Sequence, residues 1–275
     1  MRILIFSALA LCVVAAHANE CKYSAERKLA IDPQGLQALA FDMGSSDLRV
    51  RGVAGLGQIE VTGKACASAQ DRLVGLTVAK RREGDVVTLT PHQDGEQSFS
   101  IFGSSYAYID LDVRVPTTLA VRVQTHSGDT MIDAVASLDF DAHSGDLVLN
   151  HVTGDVALSV HSGDVKARDI GPLQVRRAGS GDVQASNIHG AVRVGHVGSG
   201  DMQFDDVDQG VSVQSIGSGN VNVHHAGGNV TIDAIGSGDV DVSEIGGDFV
   251  VKSAGSGDID HHGVKGKVDL PRRDD

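Results

Sequence analysis

The chain of 275 residues contains no tryptophan, and only 4% of its residues are aromatic. A globular core of ordinary thickness is usually filled by large aromatic side chains. Proline is scarce as well, with 5 residues, whereas glycine is abundant, with 34. This composition argues against a thick globular core and favours a thin one lined by Val, Ile, Leu and Ala, as in a solenoid.

Positive charge is also in short supply. The chain has 23 Lys and Arg against 36 Asp and Glu, which gives a formal net charge of −13. Such a surface repels phosphate backbones, so nucleic acid is excluded as a partner. No stretch that follows Ala18 is long and apolar enough to span a bilayer, and we therefore predict no transmembrane segment.

The chain has 3 cysteines, and the number left in the mature protein depends on how the N-terminus is processed. Arg2, an apolar run and Ala16-His17-Ala18 are typical of a secretory signal peptide, which predicts removal of residues 1–18. Cys12 leaves with the signal, and the remaining pair, Cys21 and Cys66, is expected to form a disulfide in an oxidising compartment. The sequence thus predicts an exported protein, located in the periplasm or at the cell surface or beyond it.

A Gly-Ser-Gly-Asp turn, or a close variant that begins with His, recurs eight times along the chain. Successive motifs lie roughly 19 residues apart, and a period this regular predicts stacked coils. The third position is always glycine: Gly128, Gly145, Gly163, Gly181, Gly200, Gly219, Gly238 and Gly257. The fourth position is acidic or an amide: Asp129, Asp146, Asp164, Asp182, Asp201, Asn220, Asp239 and Asp258.

Between successive motifs lie two short apolar-alternating segments separated by a lone glycine, such as Gly210. We therefore predict an all-β parallel β-helix, or β-solenoid, with about 19 residues and two strands per coil. The predicted divisions are a signal peptide at 1–18, an N-terminal β segment at 19–116 that caps or begins the solenoid, the repeats at 117–270 and a polar tail at 271–275.

The N-terminal segment is less regular. The alternating stretches 48–51 and 58–62 predict a hairpin or the first irregular coils, and 77–91 predicts two strands joined at a turn around Gly84. Residues 68–76 predict one short helix capped by Ser68. Residues 106–115 alternate strictly between apolar and polar, which predicts a strand.

The invariant third glycine of the motif predicts a backbone with φ > 0 at every corner. The Ser and Asp beside it are expected to bond nearby backbone N–H groups in local Ser- and Asx-turns. These residues are therefore interpreted as structural turn residues. Asn220, which replaces Asp within the array, indicates that the charge is dispensable there.

Three functional alternatives exist for the same residues. Calcium between coils is known from Gly- and Asp-rich β-rolls, but those rolls repeat every nine residues rather than roughly every 19 residues. His126, His143 and His161 occupy one position of the motif and suggest a metal column, yet no carboxylate or cysteine completes a ligand set. No residues form a catalytic constellation with named roles, so we predict no enzyme activity, no cofactor and no metal site.

With the motif column in place, the chain resembles the bacterial putative-adhesin β-solenoid family, a domain of unknown function marked by Gly-Ser-Gly-Asp-Val turns. The matching residues run from Val115-Pro116 to Ile259, with 44–48 as a degenerate first motif. The resemblance implies a parallel β-helix and a binding role at the cell surface or in the periplasm.

The functional hypothesis is an exported, non-enzymatic β-solenoid, an adhesin or envelope binding protein that presents a repetitive face to an envelope or extracellular protein or glycan. The alternative is a calcium-dependent β-roll-like protein with structural cation sites.

Overall fold

The structure, a computed structural model, describes residues 21–93 and 106–272. The predicted signal peptide and the last three residues of the predicted tail lie outside the described residues.

The described chain is almost entirely β-strand. The N-terminal strands are β1 Tyr23–Ile31, β2 Ala38–Asp42, β3 Leu48–Val53, β4 Ile59–Ala67, β5 Leu76–Glu83, β6 Val86–Gln93 and β7 Ala107–Pro116, with the helix α1 Gln70–Val74. The strands of the first repeats are β8 Ala120–Thr125, β9 Thr130–Asp133, β10 Ser137–Ala142, β11 Leu147–Val152, β12 Val156–Val160, β13 Val165–Ile170, β14 Leu173–Ala178 and β15 Val183–Ile188. The later ones are β16 Val192–Val197, β17 Met202–Val207, β18 Val211–Ile216, β19 Val221–Ala226, β20 Val230–Ile235, β21 Val240–Ile245, β22 Phe249–Val251, β23 Ile259–His262 and β24 Val268–Asp269.

These strands form two 12-stranded sheets that face each other. Sheet I has the order β1-β4-β7-β3-β9-β11-β13-β15-β17-β19-β21-β23, and sheet II has the order β24-β22-β20-β18-β16-β14-β12-β10-β8-β2-β6-β5. Each coil places one strand in each sheet, and coils pair in parallel with the coils before and after, as in Val183↔Met202 and Val192↔Val211. The predicted parallel β-solenoid, with two strands per coil and a period of about 19 residues, is confirmed.

A thin apolar core runs between the sheets. Each strand from β13 to β21 buries its first, third and sixth residues, as do Val183, Ala185 and Ile188 in β15. The core is continuous from the N-terminal segment to the last coils and consists mainly of Val, Ile, Leu and Ala. The largest fully buried side chains are the phenylalanines Phe41, Phe140, Phe204 and Phe249.

A column of left-handed residues explains the burial of the sixth residue rather than the fifth in sheet I. The fifth residue counted from the start of each of these strands, which in β9 lies just after the strand, has φ between 52° and 58°. This lets two consecutive side chains face outward before the next one returns to the core. None of these residues is glycine: Ala134, His151, Asp169, Asn187, Asp206, His225 and Glu244. Asn, Asp and His are the side chains that tolerate this region best.

Antiparallel strands cover the N-terminal end of the rod. In sheet I, β1 pairs antiparallel with β4, and β4 with β7, while in sheet II β5 forms a hairpin with β6. The turn of this hairpin lies at Gly84, as predicted, and Gly84 has φ 62°. Helix α1 packs on β4, β1 and β5 and buries Leu73. The parallel array is therefore covered by this cap at one end and finishes at β23 and β24 at the other.

The structure decides between two alternatives for the N-terminal segment and corrects the predicted helix cap. The hairpin is wrong, because β7 lies between β3 and β4. The other alternative, a first irregular coil, holds for β3, which pairs in parallel with β7 and β9 in the coil stack. The helix exists, but its N-cap is Ala69, and Ser68 uses its Oγ to accept a hydrogen bond from the backbone N–H of Tyr106 at 3.3 Å. Ser68 thus lies one residue before the N-cap and makes a tertiary contact, and the helix has no side-chain cap.

Candidate functional site

The third glycine of the motif lies directly over the same glycine of the preceding coil. An ideal Cβ on Gly200 would overlap the carbonyl oxygen of Gly181, and the same overlap recurs throughout the column. The predicted left-handed backbone is wrong for most of these corners, since φ is in that region only at Gly145 and Gly163 among the eight glycines. The glycine is required because the backbones approach closely, whereas the left-handed position that recurs in successive coils is occupied by non-glycine residues of sheet I.

The fourth motif residue builds a hydrogen-bond ladder along the rod. The Oδ1 atom of Asp182 accepts the backbone N–H of Asp201 at 2.9 Å, and Oδ1 of Asp201 accepts that of Asn220 at 2.8 Å. The ladder begins at Asp110 and passes through the degenerate motif at Asp47 before entering the repeats. Its members are Asp110, Asp47, Asp129, Asp146, Asp164, Asp182, Asp201, Asn220, Asp239 and Asp258.

This geometry corrects the prediction of local Asx-turns, because each side chain bonds the next coil rather than its own turn. It also explains Asn220, whose amide oxygen accepts the N–H of Asp239 at 2.8 Å just as a carboxylate oxygen would. A second, shorter ladder joins Asn229, Asp248 and the N–H of Lys267 at the opposite corner. The acidic residues therefore hold successive coils in register.

The first side chain of the ladder differs electrostatically. Burial raises the pKa of the Asp110 carboxyl, and the neighbouring Asp47 carboxylate adds to this increase. The N–H that Asp47 donates to Asp110 and the nearby Lys64 oppose it. Burial and Asp110 likewise raise the pKa of Tyr108. The Asp110 carboxyl, at the junction between the cap and the coils, is therefore partly shielded from water.

The cap is tied covalently. Cys21 and Cys66 form a disulfide with their Cα atoms 5.5 Å apart, which links the start of the described chain to β4. The Arg27 side chain of β1 adds hydrogen bonds of 2.8 Å to the carbonyls of Leu73 and Leu76 around helix α1. These contacts fix β1, β4 and the helix to one another.

The predicted histidine column is present at the corner where sheet II meets the motif. The rings of His126 and His143 are 5.0 Å apart and those of His143 and His161 are 4.9 Å apart, with interplanar angles of 1° and 9°. All three side chains are exposed. Gly179 takes this position in the next coil, so no fourth ring continues the stack.

An open groove of about 510 Å³ adjoins this stack, and sequence reasoning missed its basic wall. Its charged and polar lining residues are Asp141, His143, Ser159, His161, Arg176 and Arg177. Arg176 is the extra residue where the register of β12 and β14 shifts, and it bonds both Ser159 and Asp139. The only sequence signal was the Arg176-Arg177 pair in a chain poor in positive charge.

Other histidines pair with carboxylates. His151 lies between two of them, with Nδ1 2.8 Å from Asp133 and Nε2 3.6 Å from Asp169. His189 and His225 each contact one carboxylate. Within residues 21–93 and 106–272, no group of three or more His, Cys, Asp or Glu side chains could hold a metal ion.

The outward strand residues form columns in register on both faces. On sheet I the residues Lys166, Gln184 and Gln203 follow one another in register, and on sheet II Gln174, Arg193 and Ser212 do. All except Ser212 have long polar side chains, and their main chains are fully used in pairing. The side chains on the faces are thus free to vary while the corners keep the coils stacked.

These features define the class of the protein. It is a repeat protein of the parallel β-solenoid type, with a cap at one end and a hydrogen-bond ladder along its corners. In the part of the chain that the structure describes, no helix has both the length and the apolar character needed to cross a membrane. The chain belongs to the Toastrack DUF4097 family, whose model matches residues 36–262. No curated protein matches the chain.

Several solved structures are similar over most of the chain. A putative cell adhesion protein from Clostridium sporogenes is 12% identical, with 91% of this chain and 100% of that chain covered and a TM-score of 0.34. A putative adhesin from Bacteroides fragilis is 12% identical, with 91% and 98% covered and a TM-score of 0.35. A putative lipid binding protein from Parabacteroides distasonis is 16% identical, with 91% and 98% covered and a TM-score of 0.45.

Proposed function

We propose that the protein is exported and acts without catalysis, as an adhesin or envelope binding protein whose strand faces contact an extended protein or glycan. The main support is that, within each coil, the corner residues stabilise the stack and the strand residues are exposed. Corner residues such as Gly200 and Asp201 are occupied in holding coils together, whereas Gln184 and Gln203 on the strand face are exposed. Repeated exposed side chains offer many weak contacts of similar geometry to an extended partner.

The dimensions of the rod support this proposal. Coils follow one another at roughly 4.8 Å, so the seven intervals between the eight motifs extend over roughly 34 Å. The acidic side chains at the corners repel the densely spaced phosphates of nucleic acid, so the proposed partners are proteins and glycans. A rod of this length can contact several units of such a partner at once, so weak contacts add up.

Two face variants test the binding role. One replaces Lys166, Gln184 and Gln203 with alanine on sheet I, and the other replaces Gln174, Arg193 and Ser212 on sheet II. The purified proteins are used to capture material from envelope extracts. We expect one face variant to lose most of its captured material at an unchanged melting temperature. Equal capture by the wild type and both variants would contradict the proposal.

Export is tested in the native host. Cell fractionation is expected to place the protein in the periplasm or outside the cell, and N-terminal sequencing of the mature form is expected to start at Asn19. A protein found in the cytoplasm with Met1 intact would contradict export.

The calcium-dependent alternative is tested by heating. In the structure the Oδ1 atoms of Asp182 and Asp201 already accept backbone N–H groups, so coil stacking needs no bridging cation there. We expect the melting temperature to be the same in excess chelator and in millimolar calcium. A large increase on addition of calcium would instead favour the roll with structural cation sites.

A further inference from the structure

The groove beside the histidine stack combines three kinds of contact. It offers an aromatic ring face, guanidinium groups and a carboxylate with a hydroxyl, from His161, Arg177, Asp141 and Ser159. We propose that this groove binds a carboxylated sugar residue of an acidic polysaccharide. This inference rests on the proposed binding function and names the ligand class and site for it.

The end of the histidine stack provides the platform. His143 covers one face of the His161 ring at 4.9 Å, and Gly179 in the next coil places no side chain over the other face. The step left by the missing ring is one coil high, roughly 4.8 Å, which matches the thickness of a ring in stacking contact. The C–H face of a pyranose packs against such a surface.

The basic wall provides charge recognition. Arg176 is held by Asp139 and Ser159, whereas the guanidinium of Arg177 has no hydrogen bond or ion pair among the described residues. A planar guanidinium binds a carboxylate through two parallel hydrogen bonds. In a chain with a net charge of −13, an exposed and unpaired Arg177 next to a ring platform is suited to an anionic group.

The remaining lining residues favour a sugar over a simple anion. Asp141, Ser159 and Arg177 are successive members of one outward column on sheet II, so a carboxylate and a guanidinium lie two coils apart with a hydroxyl between them. Asp141 repels a bare anion but accepts hydrogen bonds from sugar hydroxyls. A sugar acid presents hydroxyls at one end and a carboxylate at the other, which matches this order of groups.

The test is a calorimetric titration of the mature, disulfide-bonded protein with trigalacturonate, using maltotriose as a neutral trisaccharide control. We expect trigalacturonate to bind and maltotriose to bind at least tenfold more weakly. Arg177→Gln should lower the affinity about tenfold, the cost of one charge-assisted contact. Arg168→Gln, an exposed arginine on sheet I and outside the groove, should change it less than twofold.

A histidine pair tests the platform. His161→Ala should lower the affinity about fivefold, whereas His126→Ala, at the far end of the stack and outside the groove, should change it less than twofold. Melting temperatures equal to the wild type show that each variant is folded. The proposal is overturned if trigalacturonate does not bind at millimolar concentration, if maltotriose binds equally well, or if each groove variant matches its control. The proposed function would still hold in that case if the wild-type protein captures envelope material and one of the two face variants does not.

Discussion

The carbonyl oxygen of Gly181 lies where a Cβ atom of Gly200 would have to be. Gly200→Ala must therefore push two coils apart or distort both corners, because the obstacle is backbone and cannot rotate away. We expect a loss of about 3 kcal/mol or more in the free energy of unfolding, at or above the upper end of ordinary overpacking. Urea unfolding followed by far-UV circular dichroism measures it.

Gly57→Ala is the matched control. A Cβ on Gly57 would meet no atom within 4 Å, and the residue does not have a left-handed backbone. The same added methyl group should change stability by less than about 0.5 kcal/mol there. Similar losses in the two variants would show that close coil stacking does not explain the motif glycine.

The aspartate ladder gives a second prediction. Asp201→Asn keeps an oxygen for the N–H of Asn220, so its stability should stay within about 0.5 kcal/mol of the wild type. Asp201→Ala removes that acceptor and should cost about 1 kcal/mol. Chemical denaturation of both variants decides the matter, and an equal loss in the two would mean that the charge matters rather than the hydrogen bond.

The left-handed column gives a third prediction, with opposite signs for the same substitution. Ala134 has φ 58°, so Ala134→Gly should stabilise the protein by about 0.5–1 kcal/mol through relief of backbone strain. Ala157 lies in strand β12 with similar partial exposure and no such conformation, so Ala157→Gly should destabilise it by a comparable amount. Two changes of the same sign in thermal melts would contradict the assigned conformation.

Asp110 makes stability depend on pH. Its pKa is higher in the folded chain, chiefly through burial, so the folded state holds this proton more tightly. The stabilisation from that proton is fully present below the pKa of the unfolded chain and is lost as the pH rises through the folded pKa. Asp110→Asn keeps the acceptor for Asp47 and carries no charge.

We therefore expect Asp110→Asn to make no difference to stability in acid and to raise it modestly at neutral pH. Urea unfolding of this variant and the wild type from pH 3 to pH 7 measures the difference. A difference that is constant over this range, or that grows toward acid, would contradict the raised pKa.

The disulfide gives a fifth prediction. Cys21 and Cys66 are 45 residues apart, and loss of a bridge that closes a loop of this size should cost roughly 2–4 kcal/mol. The double variant Cys21→Ala, Cys66→Ala should melt at a lower temperature than the oxidised wild type. A reducing agent should lower the melting temperature of the wild type and leave the double variant unchanged.

The fold of the repeats was readable from the sequence because the corner motif recurs at a nearly fixed spacing and Val or Ile residues alternate between corners. The role of the motif glycine was not readable from the sequence. Either a left-handed backbone or a close contact between two backbones requires glycine, and the sequence pattern is the same for both. Only the three-dimensional stacking of Gly181 and Gly200 separates the two. Likewise, a side chain that bonds the next coil, as Asp201 does, has the same sequence pattern as a local Asx-turn.

The N-terminal segment was predictable only in parts. Strands β5 and β6 are adjacent in sequence and pair locally, so turn chemistry at Gly84 was enough. Strand β7 is distant in sequence from β3 and β4 but lies between them in the sheet, and no local sequence pattern predicts such a pairing. The groove was missed for the same reason, since Asp141, Ser159 and Arg177 form one column only because the coils stack.

The ladder runs in one direction, with the side-chain oxygen of each coil receiving the N–H of the coil that follows. Every interior coil therefore presents the same acceptor on one side and the same donor on the other. A unit such as the stretch from Gly198 to Ile216 carries both halves of that interface. Duplication or deletion of one such unit in the gene would lengthen or shorten the rod by one step while its capped start and its last coil stay unchanged, so coil number can evolve separately from the fold.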